Sequence, residues 1–170
     1  MAIRRLFAGL AIGILILGIT SAAVAETLNY KLFNHVTKRE VFPIPDAEGH
    51  TVVLTLREGV SIFENGELAW VNVVATSDMI KGAGTLEQYV TMTFQDGSII
   101  VTHTKGTIQA APAGVPPPAK WTGEIIHGTG RFQGVKGTQT TSSKLLRPEK
   151  GELGPKSLGE GTLNYTLPSK

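Results

Sequence analysis

The stretch Ile125-Ile126-His127-Gly128-Thr129-Gly130-Arg131-Phe132-Gln133-Gly134-Val135-Lys136-Gly137, running on into Thr138-Gln139-Thr140-Thr141, decides the fold. Its four glycines in ten residues bracket an Arg-Phe pair and lead into threonines. That pattern describes a strand that breaks, turns a tight corner and re-enters a sheet, because glycine tolerates both positive φ and close backbone approach. Gly128, Gly130 and Gly134 give the spacing G-x-G-x-x-x-G, and no helix-forming pattern with a downstream acidic residue follows. A dinucleotide phosphate cradle therefore fails. The corner is expected to place Phe132 as a plug at one end of a barrel.

Outward from this stretch, no segment sustains a helical period. Short runs of Val, Ile, Thr, Leu and aromatics recur between Gly, Asn-Gly, Asp-Gly and Pro punctuation. Strands are expected at Leu28 to Thr37, Thr51 to Leu56 (stopped by Glu58-Gly59), Val60 to Phe63 and Leu68 to Thr76. Further strands are expected at Thr85 to Phe94, Ser98 to Ile108, Trp121 to Ile126, Thr138 to Leu146 and Gly161 to Leu167. Asn65-Gly66 and Asp96-Gly97 read as two-residue hairpin turns. These runs give eight or nine strands, and the fold class is all-β: an eight-stranded antiparallel meander closed into a barrel, which hides its edges. A two-sheet sandwich is the competing architecture. Two longer loops remain, Ala110 to Lys120, with its Pro116-Pro117-Pro118 run, and Arg147 to Lys156.

The glycine-rich segment resembles the Gly-Thr/Ser-Gly-x-Phe-x-Gly/Ala-x-x-Gly element of the allene oxide cyclase barrel and dirigent-like superfamily, chiefly over residues 121–146. The resemblance implies an eight-stranded antiparallel barrel in which this segment joins two late strands. It also implies a choice of functions. Allene oxide cyclases close a ring on an apolar epoxide held in the barrel, whereas dirigent proteins orient substrates activated by another enzyme. The cyclase's functional residues do not align onto this chain, so its catalytic assignment is not carried over.

The amino terminus reads as a cleavable signal peptide over residues 1–25, leaving a single barrel domain at 26–170. Arg4-Arg5 form the positive region, Leu6 to Ile19 the apolar core, and Ala23-Val24-Ala25 the cleavage site. The apolar run is short for a membrane span, so no stable membrane anchor is expected after cleavage. The mature chain is expected to be exported, to a periplasm or the exterior. Removing the signal lowers Lys plus Arg from 16 to 14 against 14 Asp plus Glu, so the mature chain is formally neutral. Neutrality without a basic cluster disfavours nucleic acid and anionic membrane partners. With no cysteine, disulfides, thiolate catalysis and Cys-ligated metal are excluded. A chain of about 145 residues buries enough surface to hold itself together without them.

Alternation along the strands sorts side chains onto faces. A two-residue Asp96-Gly97 loop pairs Phe94 with Ile99, Met92 with Val101 and Val90 with His103, placing His103 and Lys105 beside an apolar row. Trp70, Asn72 and Val74 share one face of their strand. The ligand-binding candidates are thus Trp70, Asn72, Tyr89, Met92, Phe94 and Phe132. The acid–base candidates are Glu87, Glu124, His103 and His127, the strand-embedded groups able to titrate in a cavity. Histidines stand at 35, 50, 103 and 127 without metal-binding spacing, so no metal and no cofactor is expected. His35 and His50 read as solvated. The leading expectation is a non-catalytic barrel holding a small apolar or amphipathic molecule. The alternatives are a cyclase or isomerase acting on an oxidised lipid-like substrate, and a dirigent-like interaction protein, with homo-oligomerisation through one barrel face.

Overall fold

The computed structural model describes residues 25–169; of the expected signal peptide, residues 1–24 lie outside them. Eight antiparallel strands follow one another in chain order: β1 (Ala25–Pro43), β2 (His50–Phe63), β3 (Leu68–Ile80), β4 (Ala83–Phe94), β5 (Ile99–Ile108), β6 (Pro118–Gly128), β7 (Lys136–Leu146) and β8 (Lys156–Thr166). Each pairs with the next, and β1 pairs with β8 from Ala25–Thr166 to Asn34–Ser157, closing the barrel. Closure decides against the sandwich and leaves no unpaired edge.

The strands run further than the sequence suggests, above all in β2. Glu58-Gly59 does not stop a strand; Thr51–Leu56 and Val60–Phe63 are parts of one continuous β2. Gly59 is there because a side chain would not fit: an added Cβ would sit 2.0 Å from the Phe33 carbonyl oxygen of β1. Close approach of two backbones, rather than a turn, explains this glycine.

The two hairpin signals are real, with loops one residue longer than expected. Phe63 N–H donates to Glu67 O and Gly66 N–H to Phe63 O; Phe94 N–H donates to Ser98 O and Gly97 N–H to Phe94 O. Each loop thus holds three residues and ends on a glycine in the left-handed region, Gly66 at φ 85° and Gly97 at φ 80°. The side chains of Asn65 and Asp96 accept from the N–H of Glu67 and Ser98 respectively, fixing both turns alike. The extra residue shifts the β4–β5 register: Met92 faces Ile100, Val90 faces Thr102 and Tyr89 faces His103. A one-residue slip exchanges the faces of a strand. His103 and Lys105 therefore point outward, while Ile100, Thr102 and Thr104 are buried.

The two ends of the barrel differ. One end carries the β2–β3 and β4–β5 hairpin loops and the glycine-rich β6–β7 corner, which contains a single 3-10 turn at Gly130–Phe132. Gly130 and Gly134 are at φ 59° and 77°, as a tight corner requires. Phe132 plugs this end as expected, its ring 4.8 Å from Phe94 and 5.8 Å from Tyr165; Phe63 lies 5.3 Å from Phe94 and 5.5 Å from Tyr30. Offset and edge-on contacts of this kind add to the area they bury. Arg131 lies over Phe94 and Phe132 at 4.8 and 4.7 Å and pairs with Glu67 at 2.6 Å and Asp96 at 3.6 Å, joining three loops across the base.

Candidate functional site

Above the aromatic plug the barrel is not filled. A cavity of about 360 Å³ opens at the other end, lined there by residues of the β3–β4, β5–β6 and β7–β8 connections. Its volume lies at the lower end of the range for small-molecule sites. The walls are largely apolar, with Leu32, Val53, Val71, Val73, Val90 and Met92 on inward strand positions. Both longer loops reach the mouth: Pro112, Val115 and Pro117 from one, Pro148 and Pro155 from the other.

The floor is a polar cross-brace rather than more hydrocarbon. Gln139 on β7 donates through Nε2 to the Tyr30 hydroxyl at 2.6 Å, Tyr30 pairs with Thr141 Oγ1 at 2.5 Å, and Thr102 Oγ1 donates to Gln139 Oε1. Burial pushes the Tyr30 phenol up, so it stays protonated. Each member satisfies its neighbour across β1, β5 and β7, which lets amide and hydroxyl groups sit in the interior without the cost of unmade bonds.

Three arginines line the cavity, and no Asp, Glu or His does. Arg57, on β2, donates from Nη1 to Asn34 Oδ1 at 3.2 Å and to the Pro155 carbonyl at 3.1 Å. Desolvation, with a smaller contribution from the nearby Arg39 cation, pushes the Arg57 guanidinium down to about 10. Arg39, itself exposed, borders the same cavity at its mouth because β1 is bulged between Val36 and Lys38. Val36 pairs with Arg57 before the bulge and Arg39 with Thr55 after it, so the extra residue re-aims the following side chains. Arg147 completes the set from the β7–β8 connection. Two buried donors, Trp121 Nε1 and Ser157 Oγ, line the cavity without a hydrogen-bond partner among the described residues.

The residues expected from sequence fall into three places. Met92 lines the cavity. Phe94 and Phe132 lie beneath it, in the plug. Trp70, Asn72 and Tyr89 are on the outer wall, Trp70 being 70% exposed and Tyr89 48%. Glu87, Glu124, His103 and His127 are also outside. Two of them do meet there: His103 Nε2 is 2.7 Å from Glu87 Oε1, Lys105 Nζ is 3.2 Å from the same oxygen, and the Tyr89 ring stacks on His103 at 4.6 Å. The His103 hydrogen bond, then Lys105, holds the Glu87 carboxyl below its ordinary value. Glu124 and His127 join no such cluster in the hydrogen-bond pattern of the described residues. His50 is not freely solvated: its side chain is only 12% exposed and bridges Asp46 at 2.5 Å and Asp78 at 2.8 Å. Those two carboxylates, Asp46 first, raise its pKa. Among the described residues, no three His, Cys, Asp or Glu side chains converge as a metal would require.

Sequence reasoning missed Arg57, Trp121, Gln139 and Ser157. Arg57 was legible in principle, since Val53, Thr55 and Arg57 are consecutive inward positions of one strand. Ending that strand at Leu56 hid it in a supposed turn.

Comparison with solved structures gives the same barrel. The pterocarpan synthase dirigent protein GePTS1 superposes with a TM-score of 0.55 at 16% identity, over 86% of this chain and 92% of its own. The pterocarpan synthase dirigent protein PsPTS1 gives 0.51 at 16% identity, over 86% and 97%. This likeness bears out the resemblance to the allene oxide cyclase and dirigent-like barrels at the level of fold. No protein-family model matches the chain, and no curated protein does.

Proposed function

Starting from the dirigent-type barrel, we propose that the chain is an exported, non-catalytic binding protein whose interior holds a small apolar or amphipathic molecule. The observation that carries this reading is the cavity, open at one end, apolar along its walls and lined by a few polar side chains, among them Asn34, Arg57 and Gln139. Ligand sites generally combine such walls with a few converging polar groups. The cyclase alternative draws no support from the cavity, because the groups it relies on, Glu87, Glu124, His103 and His127, are not among the lining residues. Export rests on the sequence pattern of residues 1–25.

A thermal-shift screen of lipids and phenolics tests the binding reading. A ligand at about a hundred times its Kd stabilises by about 2.7 kcal/mol, or about 5–10 °C for a domain of this size. A screen in which no apolar or amphipathic compound raises the melting temperature overturns it.

A second reading, an interaction protein that associates with its own copies, is favoured by a row on the outer wall. Leu158, Phe33, Val60 and Trp70 are neighbours by register across β8, β1, β2 and β3. Leu158, Phe33 and Trp70 are 52%, 41% and 70% exposed. Contiguous exposed apolar surface of this kind marks contact with another protein, and a neutral surface offers little charge repulsion to a second copy.

A further inference from the structure

We propose that the guest is an anionic amphiphile: an apolar body along the barrel walls, with an oxygen-bearing anionic head held by the Arg57 guanidinium and flanked by Arg39 and Arg147. This rests on the reading of the barrel as a binding protein and names the chemistry of its ligand.

The charge count of the cavity carries the argument. The half-buried Arg57 and the exposed Arg39 and Arg147 line one small space with no carboxylate among the lining residues, and among the described residues none of the three forms an ion pair. Arg131, by contrast, pairs with Glu67 and Asp96 across the base, and the lysines unpaired among the described residues, such as Lys31, Lys120 and Lys144, are exposed to water on the outer wall. A cation withdrawn from water without a counter-charge is costly, and two placed near each other repel. Arg57 bears that cost in this structure, as the lowering of its pKa by burial and by Arg39 indicates. At neutral pH it still carries its charge.

The geometry leaves room for a guest to relieve it. Both Arg57 hydrogen bonds leave from Nη1 and end on neutral oxygens, those of Asn34 and Pro155. A guanidinium offers five N–H donors in a planar fork that matches a carboxylate or phosphate. The remaining edge of the fork is therefore available to two oxygens of one head group. Trp121 and Ser157 line the same space, with Nε1 and Oγ buried and unpartnered among the described residues. The apolar strand walls above the Gln139–Tyr30 floor take the hydrocarbon. A cationic amphiphile meets three like charges, and a neutral one leaves the arginines as they are.

The chain has two tryptophans, Trp70 outside and Trp121 in the cavity. In a Trp70→Phe background the fluorescence of Trp121 reports occupancy alone. Decanoate, decyl phosphate, decanol and decyltrimethylammonium are titrated below their critical micelle concentrations. Decanoate or decyl phosphate is expected to bind about tenfold or more tightly than decanol, the scale of a charge-assisted hydrogen bond, with the ammonium weakest. Whichever anion binds tighter identifies the head group. Arg57→Gln should abolish the preference for the anion while leaving decanol binding unchanged. Circular dichroism shows whether that variant folds; if it does not, the Arg39→Gln/Arg147→Gln double variant should reduce the same preference. Equal binding of anion and alcohol, or a preference that survives these substitutions, overturns the head-group inference and leaves the apolar-ligand reading standing. Binding of none of the four probes overturns both.

Discussion

Arg131 shows how much of the base depends on one side chain. Its guanidinium rests on two aromatic faces and reaches carboxylates from two different hairpin loops. Glu67 answers it: the hydrogen bond from Arg131 is the main reason its carboxyl is held below the ordinary value of 4.5. A group with a depressed folded pKa binds fewer protons folded than unfolded. The stability it contributes is full above the unfolded value and is lost as pH falls through the folded one. The pair is partly exposed, with side chains 39% and 32% accessible, so its worth at neutral pH is about 0.5–1 kcal/mol. Glu67→Gln should lower stability by that amount at neutral pH and lose less than the parent on acidification. Urea unfolding measured at about pH 7 and about pH 3 checks this; two variants that lose stability in parallel would exclude the assignment.

At the scale of elements, the consecutive antiparallel order was legible, the strand number only as eight or nine, and strand extent was not. The Asn-Gly and Asp-Gly signals located the β2–β3 and β4–β5 hairpins, and the glycine-rich corner was read correctly, whereas the Lys81-Gly82 turn between β3 and β4 was not singled out. The errors came from backbone events that leave little trace in side-chain pattern. The third loop residue exchanged the faces of β5, the bulge between Val36 and Lys38 brought Arg39 to the cavity mouth, and Gly59 was mistaken for a stop. A glycine needed for close approach and a glycine needed for a turn look alike in sequence. Gly59→Ala separates the two meanings. A turn glycine at positive φ opposes a methyl group through backbone strain, whereas Gly59 is not in that region and opposes it by contact alone, with Phe33 O at 2.0 Å and Asn34 Cα at 2.6 Å. The substitution should cost about 1–3 kcal/mol, seen as a lower urea midpoint at unchanged slope. An unchanged midpoint would mean that β1 and β2 can part there freely.

For the whole molecule, the division of labour between the ends and the wall matters more than any one strand. The base is packed aromatic and ion-paired, the opposite end is open and cationic, and the outer wall carries the apolar row through Trp70. Residue types alone suggested candidates for each of these places without sorting them, because inside, outside and base are properties of closure. If copies associate through the wall, sedimentation of the parent should report an oligomer. Trp70→Glu should then convert it to a monomer with its melting temperature little changed, since an exposed position adds little to the fold. A parent that sediments as a monomer at all concentrations removes the self-association reading.

Ala25 and Thr166 are register partners on β1 and β8, next to the sealed base. A tether fused at either position therefore leaves from the side away from the opening. Protein captured on a bead or sensor chip by such a tag presents its mouth to the bulk solution, with no linker crossing the path by which a guest enters.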